Sequence, residues 1–253
     1  MSKRGQIALY FIIGIIILAI FILGYFFKDS ILNNSKENQI TDTQNIPLLI
    51  QPINNFILSC IEKIGKDSLV LIGEHGGYYD LKKINKNPNN ISYYLINNNL
   101  IIPSKKTIEN SLSLYINNNL KSCTKEFTDF KKDFVIKEGK IETKTTILDE
   151  KVNFNIKYDV EIKKETQNYN LNSFNVDINN NLFKIYDSIV MSLNNHTNYS
   201  LICISCLNDA RILNNLTIEV YNPSEKEGEY VFIDGKYSIN NQPYKFKTAL
   251  RFT

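Results

Sequence analysis

Four cysteines are the residues best suited to chemistry in this 253-residue chain, and they fall into two patterns. Cys203-Ile-Ser-Cys206 has the spacing of a redox-active dithiol, in which one thiolate attacks a disulfide and the other resolves it. A short helix expected over residues 207–213 would place that pair near its N-terminus, where the dipole lowers a thiol pKa. Ile-Ser, however, stands between the cysteines where such motifs usually carry Gly-Pro or Pro-His. Cys60 and Cys123 each sit on the apolar face of an expected helix, so two packed helices would bring them together. Four cysteines allow three pairings; the spacing favours Cys60 with Cys123 and Cys203 with Cys206, the alternative for the first pair being two buried free thiols. One paired knuckle does not supply the four ligands of a closed zinc site.

Other chemistry is sparse. There are two histidines and no tryptophan. His75 follows Glu74 in a glycine-rich stretch, Leu71 to Asp80, that reads as a structural turn; as an acid/base pair, Glu74 and His75 have no nucleophile or second carboxylate linked to them in sequence. The 29 basic residues nearly balance 26 acidic ones, and Lys3 and Arg4 precede an apolar run. Such balance lacks the concentrated positive field of a nucleic-acid binder. No linear signature of a cofactor, phosphate loop or catalytic triad is present, and none is expected to act. Asn-x-Ser/Thr triplets occur at Asn33, Asn90, Asn195, Asn198 and Asn215, close to the number chance gives in a chain where about one residue in seven is Asn.

The elements that would position these residues begin at the membrane. Residues 7–27 carry no charge, proline or asparagine, and a helix of that length spans about 30 Å, one bilayer crossing. The run is longer than the apolar core of a cleaved signal and ends in Tyr25-Phe26-Phe27, an aromatic edge suited to the headgroup layer, so a retained helix is expected. Lys3 and Arg4 place the N-terminus in the cytoplasm and the remainder outside. The expected organisation is a basic leader over residues 1–5, a transmembrane helix over 6–28, a polar stalk over 29–45, a mainly helical part over 46–135, and an antiparallel β-rich part with one or two helices over 136–253.

Within the exported part, Ile53, Phe56, Ile57, Cys60, Ile61 and Ile64 repeat at helical spacing, running to Ile72 before Gly73 is expected to stop the helix. A second helix capped by Ser104 carries Ile108, Leu112, Tyr115, Ile116, Leu120, Cys123 and Phe127 on one face. Residues 152–162 alternate apolar and polar without a break, predicting a strand that hairpins back through Asp149-Glu150 onto residues 141–148. A helix is expected over 180–193, then strands over 216–221, 230–233, 237–239 and 244–252, with hairpin turns at Asp234-Gly235 and at Asn240 to Pro243. The fold class is α+β: an N-terminal transmembrane helix, then an extracytoplasmic domain of amphipathic helices and antiparallel hairpins or meander.

Lys3-Arg4-Gly5-Gln6 followed at once by the apolar run resembles the class III leader of archaeal type IV pilin-like proteins. The resemblance implies cleavage after Gly5, making Gln6 the new N-terminus and keeping the helix for anchoring or assembly. The fifth residue after such a cut is commonly Glu in filament-forming subunits and is Tyr10 here, which points to a minor pilin-like or merely anchored protein. FILSCIEKIGKDSLVLIGEHGGYYD, IPSKKTIENSLSLYINNNLKSC, the alternating strand and YKFKTALRF together look like a group of uncharacterised archaeal single-pass membrane proteins, a likeness that brings no activity with it.

The function expected is that of a membrane-anchored surface or envelope protein, non-catalytic, held in the lipid bilayer through residues 7–27 and binding a protein or envelope partner or another copy of itself. The alternative is an anchored thiol-disulfide oxidoreductase acting through Cys203 and Cys206.

Overall fold

The computed structural model describes residues 46–194 and 204–252, which belong to the second of the two units, Met1–Gln39 and Ile40–Thr253, into which the chain divides. Gly5, Gln6, the apolar run over 7–27, the stalk and Cys203 therefore lie outside the described residues. The described residues form a mixed α+β unit. No helix among them is long and apolar enough to cross a membrane.

Helix α1, Gln51–Glu74, carries Pro52 in its first turn, where the fixed φ of proline is suited. Its buried stripe is Ile53, Ile57, Cys60, Ile61, Ile64, Ser68, Leu69 and Ile72. Gly73 does not stop it. The helix runs through Gly73 because bare Cα is what fits there: a Cβ would stand 2.2 Å from the Lys245 carbonyl oxygen. The stop falls at Gly76 and Gly77, with φ of 67° and 95°, where Gly77 N–H closes back on the Ile72 carbonyl at 2.8 Å.

Strand β1, Tyr93–Ile96, and the two-residue β2, Asn99–Leu100, precede helix α2, Lys105–Thr124. Ser104 caps α2, its Oγ accepting from Thr107 N–H at 3.1 Å. Ile108, Leu112, Ile116 and Leu120 are fully buried along one face. Phe127 lies beyond this helix, in a turn where Lys125, Glu126 and Phe127 all take positive φ, and reaches the core from there.

Three long strands follow as a meander: β3 (Val135–Ile147), β4 (Lys151–Lys164) and β5 (Gln167–Asn179). On β4 every residue from Val152 to Ile162 on the inner face is at most 1% exposed, while Asn155, Lys157, Asp159 and Glu161 face water. Helices α3, Leu182–Asn194, and α4, Ile204–Asn214, lead to β6 (Leu216–Ser224), β7 (Glu227–Ile239) and β8 (Gln242–Arg251). The second sheet has the order β2-β1-β8-β7-β6, antiparallel except for β1 on β8, which is parallel. Both sheets and all of α1 to α3 contribute to one hydrophobic core.

The hairpin expected at Asp234-Gly235 is not formed. Both residues lie inside β7, at an irregularity between Ile233 and Ser238. The turn chemistry is overridden because Asp234 is drawn into the interior as a hydrogen-bond acceptor, described below. The hairpins are made at Glu225-Lys226 and, as expected, at Asn240-Asn241, where both residues take the positive φ that a tight β-turn of the favoured hand requires.

Candidate functional site at the junction of the two sheets

The first site residues to be placed are the cysteines. Cys60 on α1 and Cys123 on α2 form a disulfide, with Cα atoms 5.6 Å apart and a sequence separation of 63. Phe56 packs beside it against Phe127 and Phe130, with ring centroids 6.0 and 5.4 Å away. Cys206 falls within α4. The described structure thus gives no geometry for a Cys203–Cys206 dithiol.

The glycine-rich turn does not unite Glu74 and His75. Glu74 is ion-paired with Lys247 on β8. His75 is half-buried with Nδ1 lacking a hydrogen-bond partner, and burial holds its pKa below the ordinary value. The carbonyl of Gly76 accepts from Ser92 Oγ and Tyr94 Oη at 2.9 and 3.1 Å, so the turn serves as a docking point for the strand that follows.

The densest polar assembly is where the β3–β4 hairpin meets the second sheet. Asp234, 2% exposed, accepts from Asn181 N–H at 3.2 Å, Asn181 Nδ2 at 3.0 Å and Lys236 N–H at 2.8 Å. Two of these donors belong to the residue that leads into α3, where a helix N-terminus favours a negative group. Asn180 caps the same turn, its Oδ1 accepting from Leu182 N–H at 2.7 Å, while its own N–H donates to the Glu150 carbonyl. Glu150, in the hairpin turn, accepts from Lys184 Nζ on α3 and Lys236 Nζ on β7, both at 2.9 Å, and from Tyr237 Oη at 3.2 Å. The hydrogen bonds from Lys236 and Lys184 hold its carboxyl down at about 2. Asn180 Nδ2, Asn181 Oδ1 and the buried hydroxyl of Tyr244 have no protein partner. Burial raises the Tyr244 pKa far above its usual value.

A second cluster lies on β7 and β8. Arg251 Nε donates to Glu227 Oε1 at 2.7 Å and its Nη2 to Tyr93 Oη at 2.6 Å; the hydroxyl of Tyr93 in turn donates to Glu227 at 2.8 Å. One residue-pair along, Glu229 Oε1 accepts from Asn87 and Asn89 at 2.6 and 2.7 Å. These carboxylates fasten the 80–92 loop and β1 to the sheet, and each is occupied by its own chain.

A cavity of about 20 Å³ under α3 and α4 touches Leu193, Leu207, Tyr230 and Thr248. It has room for one water, for which the partnerless Thr248 Oγ1 is a ready donor. Among the described residues no group of three or more His, Cys, Asp or Glu is disposed to hold a metal ion. The carboxylates of Asp234, Glu150, Glu227 and Glu229 are thus engaged by groups of their own chain.

Sequence reasoning missed the role of Asp234, Glu150 and Asn181. The Asn180-Asn181 pair ahead of the Leu182, Ile185, Ile189 stripe is a helix-start signal that marks part of it; the partner carboxylates, Asp234 for Asn181 and Glu150 for Lys184, come from 53 and 34 residues away in sequence and leave no local trace. The chain matches no family model, no curated protein and no solved structure.

Proposed function

We propose that this chain is a single-pass membrane protein that displays its α+β unit outside the membrane in a non-catalytic binding or structural role. The observation that carries the reading is the disulfide between Cys60 and Cys123, because such a bond persists in oxidising compartments and is rare where thiols are kept reduced. The uncharged run over residues 7–27 behind Lys3 and Arg4 supports the anchor and its orientation. The finer proposal, a minor pilin-like subunit released from a leader after Gly5, rests on the leader resemblance alone.

The test is protease treatment of intact cells, followed by intact mass and N-terminal sequencing of the membrane-extracted chain with thiols blocked before and after reduction. Loss of the ectodomain to external protease, with Cys60 and Cys123 protected from the thiol reagent until reduced, is the expected result. Protection from protease with reactive Cys60 and Cys123 sinks the reading. An N-terminus at Gln6 supports the pilin-like version, and one at Met1 or Ser2 removes it while leaving the anchor.

A further inference from the structure

We infer that Asn215 is an N-glycosylation site of the folded protein, an inference that rests on the extracytoplasmic placement proposed above. Two Asn-x-Ser/Thr triplets lie wholly among the described residues, and the fold treats them differently. In Asn90-Ile91-Ser92 the asparagine is exposed on a turn, but Ile91 is 3% exposed and Ser92 is fully buried, its hydroxyl donated to the Gly76 carbonyl. A transferase must read the hydroxyl two residues after the acceptor, and in the folded chain that hydroxyl is out of reach. In Asn215-Leu216-Thr217 both the acceptor and the hydroxyl residue are exposed, and only Leu216 between them turns inward. Asn215 sits with φ of 52° in the one-residue link between α4 and β6, on the exposed side of that turn. Its backbone carbonyl accepts from Gly235 N–H at 3.1 Å, and its side-chain amide rests over Gly235, whose missing Cβ leaves the room for it.

The donor is an oligosaccharide linked through phosphate to a membrane lipid. The Asn215 Nδ2 forms a bond to the anomeric carbon of the first sugar, the bond from that carbon to the phosphate oxygen breaks, and the lipid phosphate leaves with the electron pair. One amide proton passes to a base on the transferase. The glycan then stands at the head of β6, the terminal strand of its sheet. There Val220 and Tyr221 are 46% and 53% exposed, and Ile212 and Leu213, just before it on α4, are 66% and 79% exposed. Among the described residues no strand pairs with the outer edge of β6; an unpaired edge beside apolar side chains invites pairing with other chains, and a bulky hydrated group obstructs it.

The experiment is peptide mass spectrometry on the full chain from its native membrane, alongside N215Q, T217A and T217S. Expected is a sugar mass on the Asn215 peptide, its loss in N215Q and T217A, its retention in T217S, and a bare Asn90 peptide. A bare Asn215 peptide in wild type, or a sugar mass that survives T217A, overturns the site. The same samples are scored for external protease cleavage and for the oxidised Cys60–Cys123 pair. Export with a bare Asn215 defeats the glycosylation inference and leaves the placement standing; an ectodomain found inside the cell defeats both.

Discussion

Asp234 shows how a single carboxylate can overrule local sequence. Asp-Gly flanked by alternating apolar residues is a strong short-range hairpin signal, yet here the aspartate is buried and holds three N–H donors from Asn181 and Lys236. Removing it leaves those donors dry, so D234A is expected to lower stability by about 3 kcal/mol, with D234N losing less because one amide oxygen still accepts. Urea unfolding of the three proteins checks this, and equal losses in the two variants would reject it. Glu150 is the exposed counterpart. Its carboxyl titrates at about 2 in the folded protein against an ordinary 4.5. A carboxylate whose pKa is depressed by folding contributes stability that is complete above its unfolded pKa and fades as pH falls through the folded one. E150Q is therefore expected to be less stable than wild type at neutral pH, with the gap closing between pH 4.5 and about 2. A gap that stays constant across that window would mean the ion pairs with Lys236 and Lys184 are not its source.

At the scale of elements, the instructive contact is between α2 and the edge of β3. Glu109, Ser113 and Asn117 stand four residues apart on the helix, and accept from the N–H groups of Ile147, Thr145 and Thr143, two residues apart on the strand, at 3.0, 3.0 and 2.9 Å. Four helical residues advance about 6 Å and two strand residues about 6.6 Å, so the ladder stays in register for three rungs. The helix thus satisfies backbone donors that β4 cannot reach and closes an edge that would otherwise recruit another strand. S113A is expected to cost about 1 kcal/mol and to speed amide hydrogen exchange at Thr145 while leaving Thr143 and Ile147 slow; uniform acceleration would point to general loosening of α2 instead. Legibility follows the same physics. Helices α1 and α2 and strand β4 each bury one face, so their periods stand in the sequence. Strand β1 escaped because Tyr93, Tyr94 and Leu95 are all buried and show no alternation, and its parallel partner β8 is some 150 residues away. Strand β5 escaped because Asn168, Asn170, Asn172 and Asn175 dilute the Leu171, Phe174, Val176, Ile178 signal, and a register shift against β4 at Lys157/Val160 breaks its period.

For the whole molecule, the disulfide decides how firmly the helical layer is bound to both sheets. Helix α1 packs on β5 of one sheet and β8 of the other, and α2 packs on α1 and β3, so joining Cys60 to Cys123 closes a loop around the elements that organise the core. In the chain-entropy model a closed loop with 63 residues of separation stabilises by about 4 kcal/mol, acting on the unfolded chain rather than on the folded one. C60A/C123A is therefore expected to keep the native fold while its urea midpoint falls, and to show a steeper dependence on urea, because an unfolded chain without the cross-link expands and exposes more surface. Reductant should move the wild-type midpoint toward that of the double variant and leave the variant unmoved. A wild-type midpoint indifferent to reductant, with the bond verified by mass beforehand, would show that the packing of α1 on α2 carries the stability alone.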